Sequence, residues 1–408
     1  MADESPILEY DSGHQVSIRF KAFQRVYLTV YLAVMGADWI QGPYLYKLYQ
    51  SYGLALPEIA VLFLTGFVSG AFAGTAVGSM ADSVGRRRVC LVFCAATVVS
   101  LVLRLINMYI CLFLSHIMSG MSTALLYSVF EAWYVSEHTS RGFPADWRAR
   151  TFATATFLNG LVAICAGIVA NALVDIWSLR APYMAAMLLL AFAAVTVQAT
   201  WSENYGETQQ RVKIDQPNML TTLKEGCITL FTDGNILVLG AAQTFFECSM
   251  YVFVLLYTPA VEANAESYLQ DENGPKEVPF GYLFATLMLA VMLGSLAFQA
   301  LERQATSFTS KFGQQIKTNR LLMLALGLAS TSFWIMAIYG ATSLPLLLLA
   351  YHIFEFTTGM YYPSISSLKA EAIPEETRAS IMTLLRIPMN LGVGIILWQV
   401  SFYLPFFP

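Results

Sequence analysis

The chain has 408 residues, 57% of them hydrophobic and only 12% charged, with a formal net charge of −4. Soluble domains average about 25% charged residues, so a soluble multidomain protein is excluded: too little polar surface would remain to cover the apolar runs. The basic residues form no stripe interleaved with aromatics, which excludes nucleic acid as a partner. What remains is a polytopic membrane protein built from apolar runs of about 20 residues, the length that crosses a bilayer as helix.

Residues 1–22 are polar and lack the short apolar core and small-residue cleavage site of a secretory signal. The first helix is expected from Phe23 to Tyr46, with tyrosines and a tryptophan near its end suited to a membrane interface. The next five are expected at Glu58–Met80, Val89–Ile106, Met108–Val135, Thr151–Leu173 and Pro182–Trp201. The polar stretch within 202–234 reads as a linker joining two halves, 23–201 and 235–408. The second half is expected to hold helices at Asn235–Tyr257, Phe280–Leu301, Leu321–Tyr339, Leu344–Ile365 and Ile381–Leu404. The six cysteines, Cys90, Cys94, Cys111, Cys165, Cys227 and Cys248, show no paired spacing, so they read as small apolar residues and no metal site is expected.

Between helices two and three stands Gly78-Ser79-Met80-Ala81-Asp82-Ser83-Val84-Gly85-Arg86-Arg87-Arg88. A short, triply basic turn between two apolar runs reads as a cytoplasmic loop, because Lys and Arg cross the bilayer poorly during insertion. The glycines suit close helix approach and a tight turn, Asp82 a helix N-terminus, and the arginines lipid phosphates or acids. The same alternation places Arg19, Lys21, Arg25, Arg141, Arg148, Arg150, Lys224, Arg303, Arg320, Lys369 and Arg378 inside, and leaves Lys47, Arg180 and Lys276 outside. A multi-pass membrane protein with a cytoplasmic N-terminus follows as the expectation. The spacing Gly78, Asp82, Gly85, Arg86, Arg87 resembles the loop motif of the major facilitator superfamily. The resemblance implies an all-α fold of two pseudo-symmetric six-helix halves, of which eleven helices are legible here and a twelfth is not.

Weak internal echoes fit two related halves. Gly78-Ser79-Met80-Ala81 is echoed by Gly294-Ser295-Leu296-Ala297, Gly120-Met121 by Gly359-Met360, and Asp38 by Glu247.

Ionisable side chains at membrane depth cost about 2.5 kcal/mol or more and mark functional positions. Asp38, Glu131, Glu247 and Glu355 fall one each on helices one, four, seven and ten, which line the central pathway in that superfamily. Each is a candidate for substrate binding, gating or a salt bridge that holds the halves in one state; Asp38 and Glu247 are also candidates for coupling to protons. Arg104 and Arg386 are the charged candidates for an anion, since a guanidinium makes paired hydrogen bonds to oxyanions. Gln41, Tyr44, Trp133, Tyr251, Tyr362 and Asn390 are neutral candidates on neighbouring turns. Lys47 reads as snorkelling at the outer mouth, and His116 and His352 as interhelical hydrogen-bonders. There is no catalytic constellation and no phosphate-cradling Gly-rich loop, so neither an enzyme nor ATP-driven transport is expected, and no cofactor.

Longer stretches narrow the resemblance. Ala37-Asp38-Trp39-Ile40-Gln41-Gly42-Pro43-Tyr44-Leu45-Tyr46-Lys47, Phe130-Glu131-Ala132-Trp133-Tyr134, Trp201-Ser202-Glu203-Asn204-Tyr205, Phe246-Glu247, Gly359-Met360-Tyr361-Tyr362-Pro363 and Arg386-Ile387-Pro388 together resemble the molybdate-anion transporter family. That resemblance implies uptake of molybdate by alternating access. The central acids would repel a dianion unless protonated or paired with Arg104 or Arg386. Two alternatives therefore stand beside this one: a transporter of an organic ion or sugar, and a membrane sensor or scaffold that transports nothing.

Overall fold

A computed structural model describes residues 6–205, 227–265, 270–271, 274–275, 278–306, 311–340, 342–374 and 378–403. Most of the expected linker therefore lies outside the described residues, as do parts of the loops after Ala265 and Thr306. Eleven long helices and one short one account for nearly all of the rest. They are α1 (Pro6–Trp39), α2 (Leu45–Ser51), α3 (Leu56–Val84), α4 (Arg86–Arg104), α5 (Tyr109–Ser140), α6 (Ala145–Ile176) and α7 (Ala181–Thr200). After the linker come α8 (Gly234–Ala265), α9 (Phe280–Thr306), α10 (Lys311–Tyr339), α11 (Leu344–Ala372) and α12 (Arg378–Tyr403). A two-residue antiparallel ladder, β1 (Gln270–Asp271) with β2 (Gly274–Pro275), pairs Gln270 with Pro275 and Asp271 with Gly274.

Each expected helix is present, and many run past the apolar stretch that announced them. α1 begins at Pro6 rather than Phe23, α8 passes Pro259, and α11 continues through Pro363 to Ala372. The reason is that hydropathy registers only the lipid-facing span, whereas the backbone satisfies its own hydrogen bonds by staying helical beyond it. Seven of the helices are long and apolar enough to cross a membrane. The other long ones, α1, α4, α11 and α12, carry charges in or beside their apolar stretches, among them Arg104, Lys369 and Arg386. The first helix stops at Trp39, short of the expected Tyr46. Pro43 disfavours helical backbone at the residue before it, and the chain passes through a 3-10 turn at Gly42–Tyr44 before α2.

The chain forms two compact units. One comprises Met1–Gly42, Thr65–Ala166 and Leu173–Lys213; the other comprises Pro43–Leu64, Gly167–Ala172 and Ile214–Pro408. In the first, α1 packs on α7, and α4 packs on both α5 and α7. In the second, α11 is central, packed on α8, α9 and α10, while α12 packs on α8.

Glycine sets the closest helix approach in each unit. A Cβ on Gly120 of α5 would overlap the Gly66 carbonyl oxygen and stand 2.8 Å from the Gly70 nitrogen of α3. A Cβ on Gly359 of α11 would overlap the Val291 carbonyl oxygen and stand 2.8 Å from the Ser295 nitrogen of α9. The echo of Gly120 in Gly359 is therefore a true structural equivalence. The echo of Gly78 in Gly294 is out of register: Gly66 pairs with Val291 and Gly70 with Ser295, an offset that brings Gly78 to Arg303.

The basic turn is held by the end of α7. Gly85 has a positive φ of 108°, and a Cβ there would lie 2.7 Å from a carboxylate oxygen of Glu203. That carboxylate accepts from the backbone nitrogen of Arg87 at 2.9 Å, and Arg88 Nε stands 3.7 Å from its second oxygen. It caps one of the orphan N–H groups at the start of α4 and meets the positive end of that helix. The backbone nitrogen of Arg86 donates to the Asn204 carbonyl at 2.9 Å, and its guanidinium to the Ala132 carbonyl at 3.3 Å. Arg87 reaches the Gln198 carbonyl at 2.8 Å. Gly78 and Asp82 lie on the last turns of α3, and the Asp82 side chain lies outside what is described. Removing the Glu203 cap should be measurable. Glu203→Ala should cost about 1–2 kcal/mol, seen as a lower unfolding midpoint in detergent, whereas Arg88→Gln, which only weakens an exposed ion pair, should cost under about 0.5 kcal/mol.

Candidate functional site

In the first unit, α4 ends on Arg104, whose side chain is buried although it carries a fixed charge. Its Nη1 donates to Gln41 Oε1 at 2.8 Å. Gln41 is itself fixed from two sides: its amide nitrogen donates to the Ala37 carbonyl at 2.5 Å, and Tyr183 donates to its backbone carbonyl at 3.4 Å. Asp38, one turn earlier, lies within electrostatic range of Arg104. Asp38, Gln41, Thr97, Ser100 and Ser122 line one cavity. Three hydroxyls of this lining are already engaged, Thr97 with the Phe93 carbonyl, Ser100 with Ser115 and Thr123 with the Ser119 carbonyl. The buried Ser122 hydroxyl makes no hydrogen bond among the described residues, so it is a donor available to an occupant. Arg104 and Asp38 together carry no net charge.

The other first-unit candidates lie elsewhere. Glu131 is exposed on α5 and acts on the tyrosines Tyr27 and Tyr31 of α1. Trp133 is fully committed: its ring stacks on Trp201 at 3.6 Å and its indole N–H donates to the Ser202 carbonyl at 2.8 Å. These contacts make it part of the scaffold around the basic turn.

The second unit holds a denser cluster. Gln243 and Glu247 stand one turn apart on α8. Lys369 of α11 is buried and donates to Gln243 Oε1 through a short hydrogen bond. Tyr361 of α11, stacked on Phe246 at 3.8 Å, donates to Glu247 Oε1 at 3.4 Å. Lys369 and Arg386 both act electrostatically on Glu247, and Tyr251 is in range of Glu247 and Arg386. Lys369 escaped the sequence reading, which assigned it to a loop because the apolar run of its helix ends near Ile365. The signal available was Gln243 and Glu247 one turn apart in an otherwise apolar helix, a polar pair that needed a partner.

Glu355 is set apart from this cluster. It is buried on α11, near Tyr257, with no hydrogen bond or ion pair among the described residues. Tyr362 is exposed and donates to the Met250 sulfur at 3.2 Å, and Asn390 is half-buried on α12. Tyr44 belongs to a structural layer in this unit: its hydroxyl donates to Asn171 Oδ1 at 2.7 Å and accepts from the Gly281 backbone at 3.3 Å. Beside it, Lys47 forms an ion pair with Glu262 instead of snorkelling to headgroups. His352 bridges helices, with Nε2 3.0 Å from the Thr286 hydroxyl of α9.

Comparison with known proteins places the chain. Residues 10–333 match the model of a family described as sugar transporters with twelve transmembrane segments. The molybdate-anion transporter of Xenopus tropicalis is 32% identical over 392 residues, covering 94% of this chain and 80% of that protein. That of Danio rerio is 34% identical over 394 residues, covering 91% and 78%. Among solved structures, the nucleoside transporter NupG matches with a TM-score of 0.67 at 12% identity, covering 93% of this chain and 89% of that one. A peptide transporter in complex with sulfate matches with a TM-score of 0.62 at 15% identity, covering 93% and 88%. At such identities the structures speak to fold alone, and the fold they share is that of the major facilitators. The chain belongs to the molybdate-anion transporter family of the major facilitator superfamily.

Proposed function

We propose that this protein carries molybdate into the cell by alternating access, as a secondary transporter in the cell membrane with its N-terminus on the cytoplasmic side. The names of its relatives support the substrate, and the bias of basic residues to one set of loops supports the orientation. The observation that carries the anion class is Lys369. Its buried ammonium and the Arg386 guanidinium act on one carboxylate, Glu247, so the described cluster holds two cations against one acid. A buried ammonium is costly unless anions answer it, and the one carboxylate available to Lys369 is shared with the exposed Arg386. A tetrahedral dianion converts that cost into binding, and the Gln243 amide and Tyr361 hydroxyl sit in the same cluster as neutral partners. A neutral sugar gains nothing from the surplus charge, and an organic cation is repelled by it. The objection raised by the central acids is met in this unit, because Glu247 is outnumbered.

Arg104, Gln41 and Asp38 form the companion site of the first unit, neutral overall, with Ser122 as an open donor. Glu355 is the group best suited to carry a proton: a buried carboxyl without a partner is most easily accommodated in its neutral form and ionises when access opens.

Molybdenum uptake by cells expressing the protein tests this reading. Wild type should exceed an empty-vector control, with sulfate competing and sugars not. At equal surface expression Lys369→Met should lower uptake at least about tenfold, the cost of losing one partner of a buried charged hydrogen bond, and Lys369→Arg should restore part of it. Wild-type rates in Lys369→Met would sink the assignment. Proton coupling has its own readout. Uptake should rise as external pH falls, and Glu355→Gln should flatten that profile. Wild-type uptake independent of pH would contradict the coupling.

A further inference from the structure

The first unit carries a second pocket, remote from the Arg104 cavity, on the end that holds Arg86–Arg88. It is lined by Arg19, Phe23 and Val26 of α1, Trp133 of α5, and Arg141 and Phe143 from the turn after α5. We propose that it binds an anionic phospholipid, its phosphate held by Arg19 and Arg141 and its upper acyl chain lying against the half-buried Val26 and Phe143.

The two arginines are prepared for an anion in different ways. Arg19 is exposed and makes no hydrogen bond or ion pair among the described residues. Arg141 is preorganised. Its Nε and Nη2 both donate to Glu137 Oε1, at 2.9 and 2.8 Å, and its guanidinium carbon lies 4.8 Å from the centroid of the Phe23 ring. Two of its five N–H donors are spent on Glu137, which leaves the others for a phosphate oxygen. Gly142, at a positive φ of 68°, turns the chain so that Phe143 packs back on Phe23 with centroids 5.7 Å apart. Phe23 in turn stacks on Tyr134 at 5.1 Å, so the wall is rigid. Arg148, close enough to act on Tyr134 and His138, adds positive field to the same end.

The depth of the pocket argues for a lipid over a soluble anion. α1 has 34 residues, about 51 Å of helix, against a hydrocarbon core of about 30 Å. Arg19 and Phe23 lie where its polar first half gives way to the apolar run, next to the polar segment between α5 and α6. That is the level of lipid headgroups, where a basic pocket between helices attracts anionic lipid. Inorganic phosphate could use the arginines but would leave the half-buried Val26 and Phe143 beside them unused.

Native mass spectrometry of the full chain, purified in detergent and offered equal phosphatidylserine and phosphatidylcholine, tests the site. Wild type should retain phosphatidylserine with roughly tenfold preference, from two arginines at a lipid surface. Arg19→Gln combined with Arg141→Gln should abolish the preference, and Lys21→Gln, on another face of α1, should leave it. Arg141→Gln also removes the partner of Glu137, so Arg19→Gln alone provides a variant that leaves the fold untouched and should still lower the preference several-fold. Equal retention of both lipids by wild type, or an unchanged preference in Arg19→Gln, would overturn the proposal. Displacement of the lipid by inorganic phosphate at the same concentration would overturn it as well, by making the site one for free phosphate.

Discussion

A cation buried in an apolar helix bundle has to be answered by a polar partner, and that requirement organises both units of this protein. Each unit meets it with a glutamine. Gln41 takes Arg104 in the first, and Gln243 takes Lys369 in the second. A glutamine oxygen satisfies a donor without cancelling its charge, so the cation keeps its field. An acid stands one turn from each glutamine, Asp38 before Gln41 and Glu247 after Gln243, and tempers that field. In the first unit the balance comes to zero. In the second the exposed Arg386 tips it positive.

Packing around these groups leaves little slack. The glycine contacts of α3 with α5 and of α9 with α11 bring backbones close enough to exclude any side chain. The Tyr44 layer is equally close, since a Cβ on Gly281 would overlap the Gly167 carbonyl oxygen. The basic turn is tied down equally firmly. Its conformation depends on Glu203 at the start of α4, and on the Trp133–Trp201 stack that fixes the segment bearing Glu203.

Much of this was legible in the chain. Apolar runs placed all eleven long helices, and the quoted stretches from Asp38 to Arg386 identified the family. What escaped did so for physical reasons. Lys369 looked like a loop cation because hydropathy falls where a helix leaves the lipid, not where it ends. Trp133 and Tyr44 looked like free donors, and their actual partners lie tens of residues away in sequence, where no local pattern points. The Glu203 cap is hidden for the same reason. The repeat of Gly78 in Gly294 was misread because small residues recur on every close-packed helix, and only the backbone contact of Gly359 with Val291 and Ser295 fixes the register. Asp38, Glu247 and Glu355 stood out from sequence because a carboxylate in an apolar run is costly wherever it lies. Their different surroundings, beside Arg104, outnumbered by cations and without a partner, emerge only in three dimensions.

The second unit sets two cations, buried Lys369 and exposed Arg386, against the single carboxylate of Glu247, a difference that an oxyanion would neutralise. Equilibrium binding of molybdate to the purified protein, followed by calorimetry with sulfate and a neutral sugar as competitors, addresses this without depending on transport. The account predicts saturable binding that sulfate displaces and sugar does not. Saturable binding of the sugar with no response to either oxyanion would contradict it.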